Sequence, residues 1–153
     1  MKLAEALIER AELQKKNGQL IKRVQDNAKV QEGDSPAESP EELIAEYEEN
    51  MSRLLKLVRR INATNCKTPF DEEMNIADAI ALRDCLGQKI KAHREFYESA
   101  AIRRNGYYAS KNEIRFVRFL NIKKIQSRID QLSKEYREID TKLQSINWNV
   151  DLM

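Results

Sequence analysis

The sequence predicts an all-α fold: an elongated four-helix bundle of long, coiled-coil-like helices, with a short extended arm or β-hairpin between helices three and four. Three observations carry that expectation. Charged residues make up 34% of the 153 residues, whereas Gly and Pro number only 4 and 3. Long helices tolerate that composition, and a β-sandwich would lack turn residues. Apolar residues recur in steps of three and four along most of the chain, which is the spacing of one helix face. Only the stretch from about 107 to 120 breaks the rhythm. The length suits one domain, 1–153.

Helix one is expected over about 2–32. Its stripe reads Leu3, Ala6, Arg10, Leu13, Asn17, Leu20 and Val24. Arg10 and Asn17 interrupt it. Either they are buried polar residues that fix register or oligomer state, or the seam rotates and leaves them at its edge. Gly33 suits a C-cap.

The connection carries the tandem motif S-P-A-E-S-P-E-E at 35–42. A helix begun at Ser35 would enclose Pro40, which removes a hydrogen bond and clashes with the preceding turn, costing about 3 kcal/mol. With Ser39 as N-cap, Pro40 takes the first helical position, where proline is favoured, and Glu42 completes a capping box. Helix two therefore runs over about 40–64, with Ile44, Tyr47, Met51, Leu54, Val58, Ile61 and Asn65 as its seam. Leu43, Leu55 and Leu57 widen it.

Helix three is expected over about 76–105, capped by Asn75 with Asp78 in its first turn. Its inner face is Ala79, Leu82, Leu86, Ile90, His93, Tyr97 and Ala100, and Asn105-Gly106 is its stop. The arm follows, rich in β-formers. Helix four, about 122–150, shows the clearest signal. Behind an N-cap at Asn121, Ile122, Ile125, Ile129, Leu132, Tyr136, Ile139, Leu143, Ile146 and Val150 keep a heptad seam.

Four stretches resemble one group. They are N-A-K-V-Q-E-G-D-S-P-A-E-S-P-E-E-L (27–43), R-I-N-A-T-N (60–65), D-A-I-A-L-R-D (78–84) and K-E-Y-R-E-I-D-T-K-L-Q-S-I-N-W (134–148). Together they resemble the septicolysin-like family of small bacterial proteins. The resemblance spans nearly the whole chain and is weakest over 103–120. It implies a helical hairpin-bundle fold, assembly into oligomers, hexamers among them, and no established activity. No catalytic residue is carried over.

Catalysis finds little footing in the residues. The single histidine, His93, lies on an apolar seam, and Cys85 is eight residues before it, beyond contact on one helix. No Glu-x-x-His motif for a di-iron site occurs, and neither cysteine has metal-ligand spacing. No cofactor or metal is expected, and the chain reads as a non-enzyme. Asn62, Asn65, Asp78, Arg83 and Asp84 form a candidate polar pocket for a small anion; the plainer alternative is a helix cap at Asp78 and ion pairs at Arg83.

Charge is uneven. Residues 26–50 hold nine acids and one base, a net −8, and 103–124 hold seven bases and one acid, a net +6. The basic stretch carries the candidate subunit contacts Tyr107, Tyr108, Arg115, Phe116, Arg118 and Phe119. Aromatics among bases can stack on single-stranded nucleic acid, but an acidic segment in the same chain offers the basic one a partner. Self-assembly is the leading expectation, with nucleic-acid binding as an alternative and a small-ligand or metal-binding protein as a second. Acids at Glu5 and Glu9 interrupt any signal-peptide core, and no apolar run is long enough to span a membrane. A cytoplasmic protein is expected.

Overall fold

A computed structural model describes residues 1–101 and 117–153. Four helices follow in order: α1 (Leu3–Asn27), α2 (Pro40–Lys67), α3 (Ile76–Ala100) and α4 (Ile122–Asn149). They hold 77% of the described residues, none of which lies in a strand. The fold is all-α. Of the expected arm, 107–116 lie outside the described residues, as do 102–105 of helix three and the Asn105-Gly106 stop. Residues 117–120 belong to no regular element, and Phe119 is 95% exposed. The expected hairpin is thus corrected for its described part: residues 117–120 are exposed and form no strand or bridge with other described residues, and a hairpin needs a packed face to hold it.

Two compact units make up the chain: residues 1–77 with 144–153, and residues 78–143. In the first, α1 buries Leu3, Ala6, Leu13, Asn17 and Leu20, with Arg10 and Val24 half-buried. That is the periodic stripe of the sequence. The same unit corrects the seam of α2. Its buried residues are Leu43, Asn50, Leu57, Ile61 and Thr64, whereas Ile44 and Met51 are exposed. Each follows a buried residue by one position, about 100° round the helix. The apolar arc of α2 is broader than the face it buries. Full burial of a Leu or Ile side chain such as Leu3, Leu20 or Ile61 stabilises by about 1.5–3 kcal/mol each.

Helix α1 stops at Asn27, not near residue 32. The Asn27 side chain captures the returning chain. Its Nδ2 donates to the Arg23 carbonyl at 2.9 Å and its Oδ1 accepts the Glu38 N–H at 3.1 Å. Arg23 also donates through Nε to Glu38 at 2.9 Å. Gly33 is therefore no C-cap. It has φ 94° in a turn closed by the Asp34 N–H to the Gln31 carbonyl at 3.0 Å, a position that favours glycine. At the second Ser-Pro, Ser39 Oγ accepts the Glu42 N–H at 3.4 Å, and Pro40 opens α2.

Between α2 and α3 the chain makes a tight return. Asp71 Oδ1 accepts the N–H groups of Glu73 and Met74 at 3.0 and 2.8 Å, an Asx arrangement. The Ile76 N–H donates to the Thr68 carbonyl at 3.0 Å, and Phe70 and Ile76 are buried.

Residues 1–3 and 150–153 clasp one another in this unit. Leu3 N–H donates to the Val150 carbonyl and Leu152 N–H to the Met1 carbonyl, both at 2.9 Å. Lys2 Nζ reaches Asp151 at 3.0 Å and the Asn149 carbonyl at 3.1 Å. Glu5 accepts the Lys2 N–H at 2.6 Å. Helix α2 holds the other side. Arg60 Nε donates to the Met153 carbonyl at 2.6 Å, and the Met153 N–H donates to Thr64 Oγ1 at 3.0 Å. Thr64, fully buried, in turn donates to the Arg60 carbonyl at 2.9 Å.

In the second unit, Leu86 and Ile90 of α3 pack with Leu132 of α4, flanked by Tyr136 and Ile139. A Cβ added at Gly87 would sit 3.6 Å from the Tyr136 ring, an ordinary contact. Leu82 is exposed and Arg83 is half-buried where the stripe placed Leu82; Arg83 has carboxylate partners there (below), so its head need not reach water. At the start of α4, Asn121 Oδ1 accepts the Lys124 N–H at 3.1 Å.

The different jobs of the two serines set the first expectation. Ser39→Ala should lower unfolding free energy by about 1 kcal/mol, and Ser35→Ala by much less, in urea titration. Equal losses would move the helix start. A second concerns pH. The Lys2 ammonium, hydrogen-bonded to Asp151, holds that carboxyl below its ordinary value. A depressed carboxyl contributes stability above its unfolded pKa and loses it as pH falls through the folded one. Carboxyl-detected NMR should place the Asp151 midpoint below the usual aspartate range, and Lys2→Met should return it there.

Candidate functional site

The candidate polar residues divide between the units. Asn62 is exposed and Asn65 half-buried in the first, on α2. In the second, Arg83 donates from Nε and Nη2 to Asp84 Oδ1 at 3.1 and 2.8 Å, and from Nη1 to Asp140 Oδ1 at 3.4 Å. The hydrogen bond to Asp84 raises the Arg83 pKa, against partial burial. Arg83 thus ties α3 to α4, through Asp140. Asp78 lies exposed in the first turn of α3 and is itself engaged.

Of the candidate subunit contacts, Tyr107, Tyr108, Arg115 and Phe116 lie outside the described residues. Arg118 donates through Nε to the Ala100 carbonyl at 2.8 Å, which brings residue 118 back to the last turn of α3. Phe119 stands open to solvent beside it. His93 Nδ1 is 2.8 Å from the Lys89 carbonyl, and its ring tilts against Phe96 with centroids 5.5 Å apart. Cys66 and Cys85 are free and exposed. Among the described residues, no group of three or more His, Cys, Asp and Glu could hold a metal ion, and no helix is long and apolar enough to cross a membrane.

Two features outrun the sequence reading. The first is a polar layer between α1 and α2. Asn17 and Asn50 are 5% and 8% exposed. Asn17 Nδ2 donates to the Met51 sulfur at 3.3 Å. Asn17 Oδ1, Asn50 Nδ2 and Arg10 Nε are buried without a hydrogen-bond partner. Of the two readings of Asn17, the structure shows the buried one. Ion pairs flank the layer, Lys16 with Glu46 at 2.6 Å and Arg53 with Glu9. The second feature is a groove of about 510 Å³ between the later turns of α3 and the early turns of α4, with Arg94 and Tyr97 on one wall and Ser133 and Arg137 on the other. Arg94 and Arg137 are 43 positions apart, so no local motif announces the groove. The available signal is two arginines on helix faces that border the apolar seams.

These features define an all-α protein of helical hairpins with a surface groove. The chain belongs to a family described as "Family of unknown function (DUF6847)", whose model matches residues 10–152. It is also similar to a solved structure, the crystal structure of a functionally unknown conserved protein from Corynebacterium diphtheriae. The two share 41% identity over 100% of this chain and 99% of that one, with a TM-score of 0.93. No curated protein matches. The expected septicolysin-like resemblance thus stands only in its coarser form, membership of an uncharacterised family.

The polar layer yields a prediction. An orphaned buried amide costs about 1–3 kcal/mol, and replacing both partners by apolar groups of like size removes that cost. The double variant Asn17→Leu/Asn50→Leu should therefore unfold at higher urea concentration than the parent, whereas either single change should gain less.

Proposed function

We propose that this protein, whose biochemical activity is unknown, acts as a self-associating structural or interaction module, and that its first partner is a second copy of itself. The observation that carries the reading is the uncovered arc of α2. Ile44, Met51 and Leu55 are 47%, 38% and 60% exposed on one stripe, about 100° from the buried seam. Apolar stripes of this kind on a helix mark interaction sites. The polar layer lies directly behind Met51, and buried asparagines in helical assemblies select register and partner number. Charge supports a like partner: one chain carries both the acidic 26–50 segment and the basic 103–124 segment, so two copies bring charges of opposite sign to each other. The septicolysin-like resemblance implies the same, with hexamers as one form.

Light scattering at moderate salt tests it. The parent should have a mass that is a multiple of 17.9 kDa. Leu55→Glu, an exposed change expected to alter stability by less than about 0.5 kcal/mol, should shift it toward the single-chain mass. A parent that runs at one chain's mass would sink the reading.

A further inference from the structure

We infer that the groove between α3 and α4 binds a small organic dianion, a dicarboxylate or a phosphate monoester, between Arg94 and Arg137. The volume, about 510 Å³, lies in the range of small-molecule sites. The side chains around it supply donors. Arg94 and Tyr97 line it from α3, and Gln126, Ile129, Ser133 and Arg137 from α4. Ile129, 7% exposed, adds an apolar side chain to the lining for a short carbon body.

The arginines set the ligand's charge. Several other guanidiniums are engaged: Arg23 with Glu38, Arg53 with Glu9, Arg83 with Asp84 and Asp140, and Arg60 with backbone carbonyls. Arg94 and Arg137 have no such partner among the described residues. Two acids share the rim. Asp130 already accepts the Gln126 amide at 2.9 Å, and Glu98, one turn beyond Arg94, forms no ion pair with it. A guanidinium presents a planar fork that matches a carboxylate or phosphate bidentately. Two forks on opposite walls suit two anionic oxygens groups on one ligand, or one phosphate held from both sides. The hydroxyls of Tyr97 and Ser133 add donors for the remaining oxygens.

The test is a titration of the full chain, followed by amide NMR, with succinate, inorganic phosphate and, as a singly charged control, acetate, all at constant ionic strength. Succinate or phosphate should give saturable shifts centred on residues 94–98 and 126–137, and acetate should bind at least about tenfold more weakly, since it loses one charge-assisted contact. Whichever dianion binds tighter identifies the ligand's headgroup. Arg94→Gln and Arg137→Gln should each weaken binding by about tenfold or more, with helicity by circular dichroism and mass by light scattering unchanged. Tyr97→Phe, which removes one hydroxyl and keeps the ring, should weaken binding less than either. The absence of saturable shifts with both dianions, or shifts that survive the double arginine variant, would overturn the assignment. Because α2's exposed stripe plays no part, loss of self-association in Leu55→Glu leaves this result untouched.

Discussion

The hydroxyl of Thr64 is the junction on which the first unit depends. It is fully buried, so each of its hydrogen bonds replaces water that cannot reach it. It donates back to its own helix at Arg60 and accepts from Met153, and Arg60 then fastens the carbonyl beyond. One turn of α2 thereby holds the last described stretch of backbone, which in turn pairs with the first three residues. Leu3 and Leu152 are buried around this junction. Without it, the opening of α1 would lose the partner of the Leu3 N–H, and helix ends need such partners.

Helical periodicity was legible wherever one face met one neighbour. None of the nine seam positions from Ile122 to Val150 named for helix four is exposed, because a strict step of three and four leaves only one face to bury. Helix two has no such single face. Leu43, Ile44, Leu54, Leu55, Leu57 and Val58 make an arc too wide for one seam, and packing against α1 chose its Leu43–Asn50–Leu57 edge. Periodicity alone has no term for that choice. Pro40 was legible for a different reason. Ring geometry is local, so Pro40 could be placed without knowing any neighbour. Gly33 was misassigned because its φ requirement is shared by caps and turns, and only the Asn27–Glu38 contact decides which one forms.

Site residues were harder to read than fold. Arg83 was named as part of a pocket and serves as a tie between α3 and α4. Its neighbours in sequence, Asp84 and Asp78, said nothing of Asp140, which only the packing of two helices brings near. Arg94 and Arg137 escaped notice on the same ground. Asn17 was legible as an anomaly in a stripe, but Asn50 was not, since the rotated seam of α2 hid it among exposed neighbours. Polar residues are conspicuous only against a correctly placed apolar row.

The pairing of residues 1–3 with 150–153 also has a kinetic side. Contacts this far apart in sequence close a very long loop, and such contacts form late because loop entropy must be overcome first. During synthesis, α1 and α2 emerge early and can pair through Leu13, Leu20, Leu43 and Leu57. The first turn of α1 has to wait for its backbone partner until the segment after α4 has left the ribosome. In that interval the Leu3 N–H lacks the Val150 carbonyl to which it donates in the finished fold. The order of synthesis thus makes closure of this clasp one of the last steps in building the first unit.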